Sequence, residues 1–445
     1  MRPLVLISVL FYCLLPSYVL AQNDLDFWLK ELEQEARAAN ISEPAVKATI
    51  NHIELLPNIL KLDLSQPEFI SPFLDYYQKR VDNSKIIRGR ELLVKYEYLL
   101  NQIEDQYGIP KSLLVAFWGM ETNYGSYQGD IDTISALATL AYDGRRSEFF
   151  RDQLLDAMRI LDAGHIKLDQ FHGSWAGAFG NMQFMPSTFM TYAIDGDGDN
   201  RIDIVNSAAD SFASAANYLS QVGWRKDEPA MIEVQLPPNF DWQNAQYNLR
   251  KTMIEWTQLG ITRLQASATV ESVVLPQSNA KAKKLKSKKM KSSFYKVIYK
   301  KQNIKPQSVA LSSTALPNIN GYAAILLPQG WRGPAFMVFD NFDVMMDWNR
   351  SINYALSVAQ LAKRINGESR IIGGQFAEAE SLTFEQMLEL QTMLNVKGFK
   401  AGEPDGFPGI NTQAAIRAYQ ITQKLPVDGY ASPSLYNQIK RTTGE

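Results

Sequence analysis

The stretch PKSLLVAFWGMETNYG, residues 110–125, decides how this chain is read. Residues 113–120 are apolar on nearly every face of a helix, and a helix that is hydrophobic all round belongs inside a domain. Pro110 suits a first helical turn, where its missing N–H is not needed, and Gly125 offers a stop. Glu121 is the one acid in the segment. It sits at the helix C-terminus, where the dipole is negative, and in apolar surroundings. Both effects favour the protonated form of a carboxylic acid, the state a general acid needs near neutral pH. The residues alone leave two roles open: a proton donor, or a structural carboxylate paired with an arginine.

Working outward, apolar residues recur three and four apart from Leu25 to about Leu161, with Pro44 and Pro110 placed for first turns, so the first third reads as an α bundle. Residues 231–236 (MIEVQL) alternate as a strand does, and residues 323–327 and 335–339 are short apolar runs flanked by Pro and Gly. The expected fold class is therefore mainly α (α+β), a helical body carrying a small inserted β subdomain. Residues 276–318 read as a long excursion within that subdomain. Its basic run KAKKLKSKKMKSSFYKVIYKK, residues 281–301, is either a solvated loop or a contact for an anionic polymer or membrane surface. Residues 373–381 are small and polar, as in a linker. Residues 382–442 hold three short periodic segments separated by Asp-Gly turns, enough for one small three-helix core.

The chain has 445 residues, beyond the ~100 to 200 of one ordinary domain. Arg2, the apolar run ending at Leu15, and the small-residue site Val19-Leu20-Ala21 have the regions of a secretory signal, so residues 1–21 are expected to be removed; the alternative is an uncleaved membrane anchor, for which the apolar run is short. Cys13, the single cysteine, falls inside that segment and lacks the preceding small residue of a lipoprotein signal. The mature chain, residues 22–442 and the short tail, then has no disulfide and no thiol nucleophile. A net charge of −2 argues against a nucleic-acid partner.

The segments WGMETNYG (118–125), ALATLAYDGRR (136–146), GSWAGAFGNMQFMPSTF (173–189), ANYL (216–219), VGW (222–224) and DWNRSINYA (347–355) follow one another in an order that resembles the lytic murein transglycosylases of the membrane-bound B type. The resemblance spans roughly residues 25–365. It implies a lysozyme-like helical catalytic domain over residues 22–372, in which Glu121 cleaves between N-acetylmuramic acid and N-acetylglucosamine of peptidoglycan. No cofactor is required for that chemistry. A periplasmic location and a monomer are expected, with glycan strands as the partner and wall-synthesis or secretion machinery as further candidates. By position, Ser174, Gln183, Asn349 and Tyr354 match the family's polar cleft residues, and Tyr77 and Tyr218 its cleft tyrosines. Trp348 stands where relatives usually have tyrosine, so a hydroxyl role there is expected to be lost. Met182 and Met185 read as packing residues.

The motif DGDGDNRIDIVN, residues 195–206, places oxygens as an EF-hand does, with Asp195, Asp197, Asp199, Asp203 and the Arg201 carbonyl as calcium ligands. Asn200 stands at the usual glycine and Asn206 at the usual bidentate carboxylate, which weakens the match; an Asp/Gly turn capping its own amides is the alternative. The pattern LQTMLNVKGF, DGFPGINTQAAIRAYQ, LPVDGY resembles the small three-helix peptidoglycan-binding domain of wall hydrolases. In it Gln391, Thr412 and Gln420 read as fold-determining rather than contacting residues. Two other functions compete: a hydrolytic muramidase with Asp130 or Asp132 as second carboxylate, and a scaffold that binds the wall without cutting it.

Overall fold

The structure is a computed structural model that describes residues 17–63, 71–143, 146–266 and 311–443. The basic run 281–301 and residues 1–16 of the expected signal lie outside the described residues. The first helix, Ser17–Ala38, starts within the expected signal and runs on past Ala21.

The helix Lys111–Thr122 is the hub of the body, with ten of its twelve residues buried. It packs on the helices Asn83–Lys95 and Ile352–Ile365, and the latter also touches Phe73–Arg80. Two glycines allow this approach. A Cβ at Gly89 would meet Ile365 Cδ1 at 2.5 Å, and one at Gly119 would meet the Tyr124 ring at 2.7 Å. The helices Glu97–Tyr107 and Ala208–Gln221 close a second side of the hub, and Thr133–Tyr142 packs on Ser147–Asp162 nearby. Local sequence sets several starts as expected: Pro44 lies in the first turn of Glu43–His52, and Pro110 is the residue just before the hub helix.

A short ribbon pairs β1 (Ile131–Asp132) with β2 (His172–Gly173). The larger sheet is antiparallel, built from β3 (Met231–Gln235), β4 (Lys251–Thr252), β5 (Thr262–Ala266), β6 (Leu311–Thr314), β7 (Tyr322–Leu326) and β8 (Phe336–Val338), in the order β4-β7-β8-β3-β5-β6. Register pairs Met231 with Val338 and Leu326 with Phe336. These four residues face the core of the helical body, while Ile232, Val234, Ile325 and Met337 face a second core built around Trp256. Two-sided burial explains why the central strands are apolar without a polar face. The excursion expected to end at residue 318 ends earlier: Leu311 to Thr314 pair with β5, and β6 is the edge strand on that side.

Glu233 is the exception inside this sheet, 8% exposed. Its carboxylate accepts the backbone N–H groups of Ile372 and Gly373, so the expected linker is pinned to the sheet where it begins. Farther along, the Glu378 carbonyl accepts from Gln329 Nε2 at 2.5 Å and its carboxylate accepts the N–H and hydroxyl of Ser434.

Three helices, Phe384–Val396, Ile410–Thr422 and Pro433–Thr443, enclose the C-terminal core around Leu390, Leu394, Ile416 and Ile439. Its turns are held by one device used twice. Gln391, 1% exposed, donates to Asp405 Oδ1 and Thr412 and accepts the N–H groups of Asp405 and Gly406. Gln420 donates to Asp428 Oδ1 and accepts the Gly429 N–H. A buried primary amide thus satisfies each Asp-Gly turn from within.

Candidate active site

Glu121 is half-buried between buried Met120 and Thr122 at the end of the hub helix. The helix stops on Asn123 rather than Gly125: Asn123, Tyr124 and Gly125 take φ of 48°, 62° and 76°. Two left-handed side-chain-bearing residues in a row are costly, and packing enforces them. Tyr124 donates its hydroxyl to the Lys85 carbonyl at 2.6 Å and lies edge-on to Trp118. Thr122 Oγ1 accepts the Gly125 N–H at 2.9 Å and donates to the Asn181 carbonyl at 2.9 Å.

Asn181 is the brace behind the Glu121 carboxylate. Only 5% exposed, it accepts from the Trp118 indole at 2.9 Å, and its Nδ2 reaches the Ile204 and Val205 carbonyls and Ser211 Oγ. One side chain therefore ties the hub helix to the loop at 204–205 and to the helix Ala208–Gln221. Sequence reading passed over it.

On the other side, Oε1 of Glu121 accepts two hydrogen bonds, from the Trp348 indole N–H at 2.9 Å and from the Tyr354 hydroxyl. Tyr354 is buried at the start of the helix Ile352–Ile365, where Ser351 Oγ caps its N–H. Burial first, then the Glu121 charge, push its hydroxyl pKa well up, so it remains a donor. Two donors on a carboxylate favour its ionised form and so act against the burial and dipole effects. The hydroxyl expected to be lost at Trp348 is absent, and the indole N–H supplies a donor in its place. Its ring is clamped by Phe117 at 4.3 Å, Tyr218 at 5.2 Å and Phe184 at 5.5 Å.

The other sequence-derived residues divide. Tyr218 is in place, edge-on to both Trp348 and Tyr192, its pKa pushed up to about 12 by burial and then by Asp347. Gln183 has a φ of 49°, and its Nε2 donates to the carbonyls of Gln128 and Gly180, joining two loops beside the hub helix. Ser174 closes a tight turn with Ala178 through 2.7 Å and 3.1 Å hydrogen bonds. Asn349 ends the helix Asp340–Trp348 and accepts the Ser351 N–H. In this structure these three side chains hold loop and helix-end geometry. Tyr77 is 8% exposed and stacked on Phe73, with hydrogen bonds to Gln360 and the Ile371 backbone, so in this structure it packs into the core. Its neighbour Tyr76 lies beside Tyr354, together with Arg80. Adjacent helical residues point ~100° apart, and the sequence offered no means to choose between them. Met182 is buried, as a packing residue should be.

Of the two candidate second carboxylates, Asp132 is engaged: Oδ2 lies 2.7 Å from His52 Nε2 and Oδ1 caps the helix Thr133–Tyr142. Asp130 is exposed and accepts from the Tyr127 hydroxyl.

In the acidic loop, Asn200 takes the left-handed φ of 68° expected of it. The carboxylates gather differently from the expected set, however. Carboxylate oxygens of Asp195, Asp197 and Asp210 lie within 4.8 Å of one another. Asp199 accepts the Arg201 N–H, and Asp203 pairs with Arg201 and Asn206. Asp210 lies past the loop, on the helix Ala208–Gln221, and is 1% exposed. Burial, and the charges of Asp197 and Asp195, push its pKa up. A buried carboxylate facing two others suits a hard divalent cation.

With this geometry in place, similarity to other proteins is informative. Residues 24–299 and 269–363 match the family model of the transglycosylase SLT domain, and residues 385–439 that of a peptidoglycan binding domain. Over 161 residues the chain is 32% identical to membrane-bound lytic murein transglycosylase B of Escherichia coli (strain K12), an alignment covering 36% of this chain and 44% of that protein. The crystal structure of SltB3 from Pseudomonas aeruginosa in complex with NAG-NAM-pentapeptide is 35% identical and superimposes with a TM-score of 0.79 over 93% of this chain and 99% of that one. The Escherichia coli lytic transglycosylase Slt35 in complex with calcium shares the fold at 22% identity, with a TM-score of 0.56 over 76% of this chain and 92% of that one. A match across most of the body, together with a 35% identical structure of nearly equal extent, places the chain in the transglycosylase SLT family.

Proposed function

We propose that this chain is a lytic transglycosylase that cuts the MurNAc-GlcNAc β-1,4 bond of peptidoglycan without consuming water, leaving 1,6-anhydro-MurNAc ends. The observation that carries the reading is the Glu121 carboxylate held through one oxygen by Trp348 and Tyr354. Glu121 protonates the glycosidic oxygen as the bond to C1 breaks. The two donors then stabilise the carboxylate just formed. That carboxylate takes the proton of the C6 hydroxyl, whose oxygen bonds to C1, so one residue serves as acid and base in turn. SltB3 has been crystallised with NAG-NAM-pentapeptide and with NAG-anhNAM-pentapeptide, disaccharides of the kinds found before and after such a step.

Hydrolysis with Asp132 as second carboxylate is disfavoured by its bond to His52 and its capping role. The test is mass spectrometry of digested peptidoglycan. Anhydro ends are expected from the parent chain, with Glu121→Gln slowed at least ~1,000-fold; reducing ends alone, or a Gln variant at parental rate, sink the reading.

The C-terminal module fits a tether that raises local substrate concentration. A peptidoglycan substrate fits a chain on the wall side of the membrane; no helix among the described residues is long and apolar enough to cross a membrane. A structural calcium ion fits the acidic loop, with Asp195, Asp197 and Asp210 holding it. When bound, the ion would neutralise the cluster and fix the start of the helix that carries Tyr218. Calorimetry on chelated protein tests this: heat on adding calcium is expected and should vanish in Asp210→Asn, whereas no heat in the parent chain removes the idea.

A further inference from the structure

A cavity of about 220 Å³ lies where the helical body, the sheet and the C-terminal module meet. Its two sides are fixed against each other. The Trp331 N–H donates to Asp428 Oδ2 at 2.9 Å, and a Cβ at Gly330, whose φ is 68°, would meet that oxygen at 2.8 Å. The straps through Glu378 and Glu233 hold the connecting segment on the same faces. One wall carries Ile352 and Asn353, within one helical turn of Tyr354; the opposite wall carries Arg417.

Arg417 is the unusual group. It is half-buried, its Nε is buried without a hydrogen-bond partner, and its Nη2 reaches only the Asp428 carbonyl, at 3.3 Å. Among the described residues no carboxylate lies within ion-pair distance of its guanidinium. The Asp428 charge attracts it, but Asp428 Oδ1 already accepts from Gln420 and Tyr430 and Oδ2 from Trp331. Gly429 leaves room for the guanidinium, since a Cβ there would meet Cζ at 2.6 Å. A half-buried cation whose neighbouring carboxylate, Asp428, already accepts three other hydrogen bonds keeps donors for a carboxylate guest, which a guanidinium binds in a fork. The lining mixes amides (Gln246, Asn353, Gln413) with apolar surface (Leu327, Met387), as a short peptide requires.

We propose that this cavity is a subsite for the peptide branch of the substrate, with Arg417 binding a free carboxylate of that branch. The inference rests on the reading of Glu121 as a peptidoglycan-cleaving residue and assigns the module a second task, that of completing a binding site beside the cleft. The test uses the full chain and calorimetry with three soluble ligands: a GlcNAc-MurNAc-pentapeptide, the same fragment with its carboxylates amidated, and the peptide-free disaccharide. Amidation is expected to weaken binding ~10-fold, and Arg417→Gln to weaken the free-acid fragment by a similar factor while leaving the peptide-free disaccharide unchanged. Equal binding of free-acid and amidated fragments overturns the proposal, as does an equal loss for the peptide-free disaccharide. If Arg417→Gln does not fold, the amidation comparison in the parent chain decides alone. Cleavage of peptide-free strands to anhydro ends keeps the Glu121 reading intact where this inference fails; no cleavage of any strand removes both.

Discussion

Replacing Trp348 by Phe takes away one donor to Glu121 and little else. The Phe117, Tyr218 and Phe184 rings that clamp the indole at 4.3, 5.2 and 5.5 Å still meet an aromatic face. The lost bond, 2.9 Å long, ends on the oxygen that Tyr354 also contacts. A hydrogen bond to a charged group contributes ~1.5 to 3 kcal/mol, so a bond made fully only to the ionised carboxylate corresponds to a ~10- to 100-fold loss in kcat/KM where that ion is formed in the rate-limiting step. The sign of the pH effect follows from the same bond. Trp348 favours the ionised form, and its removal makes Glu121 harder to ionise. The first proton transfer needs the protonated acid, so the alkaline limb of the kcat/KM profile should move to higher pH in Trp348→Phe. Trp348→Tyr restores a donor and should move it less. The assay is anhydro-product formation from soluble glycan strands across pH, alongside a thermal melt to show that the variant is folded. A folded Trp348→Phe whose alkaline limb stays fixed or moves to lower pH refutes the reasoning.

Three further outcomes are expected. Asn181→Ala should lower global stability by ~3 kcal/mol, because it strands the buried Trp118 N–H and two loop carbonyls; a melting temperature within a degree of the parent contradicts its role as brace. Gln391→Ala and Gln420→Ala should each loosen the C-terminal module by ~2 kcal/mol while sparing the body, which hydrogen exchange resolves segment by segment. Glu233 has its pKa raised above 4.5, chiefly by burial, so its stabilising contribution is full below the unfolded value and is lost as pH rises through the folded one. The stability of the parent relative to Glu233→Gln should therefore fall as pH rises above the unfolded value, and a denaturant series showing it grow excludes this account.

The helical body was legible because its signals are local. Pro110 and the unbroken apolar run 113–120 determine one buried helix with one acid, and Glu121 follows from counting. The sheet was half legible: β3, β7 and β8 are apolar runs, whereas β5 (Thr262–Ala266) and β6 (Leu311–Thr314) carry no alternation and find each other across a long sequence separation. Pairing at that range is settled by the rest of the fold, not by either segment. Tyr76 and Tyr77 are both buried on the helix Phe73–Arg80, and which of them lies beside Tyr354 depends on how that helix packs on Ile352–Ile365, a contact far away in sequence. Asp210 escaped because a loop template ends at Asn206, while the chain folds the next helix back over the loop.

Trp348 is where reading by residue type stopped short, for a reason that extends to the whole site. Comparing side chains, tryptophan for tyrosine removes a hydroxyl. What Glu121 requires is a hydrogen placed near Oε1 by a ring that cannot move, and an indole clamped among Phe117, Phe184 and Tyr218 meets that requirement with its N–H. The two donors are also unlike in their settings: Tyr354 is buried and capped on the helix Ile352–Ile365, whereas Trp348 is half-buried at the end of Asp340–Trp348, beside Tyr218. The donor nearer solvent is the one a departing or arriving sugar can disturb. On the proposed mechanism, in which Glu121 is acid first and base second, an occupant of the site would act on its ionisation through that donor.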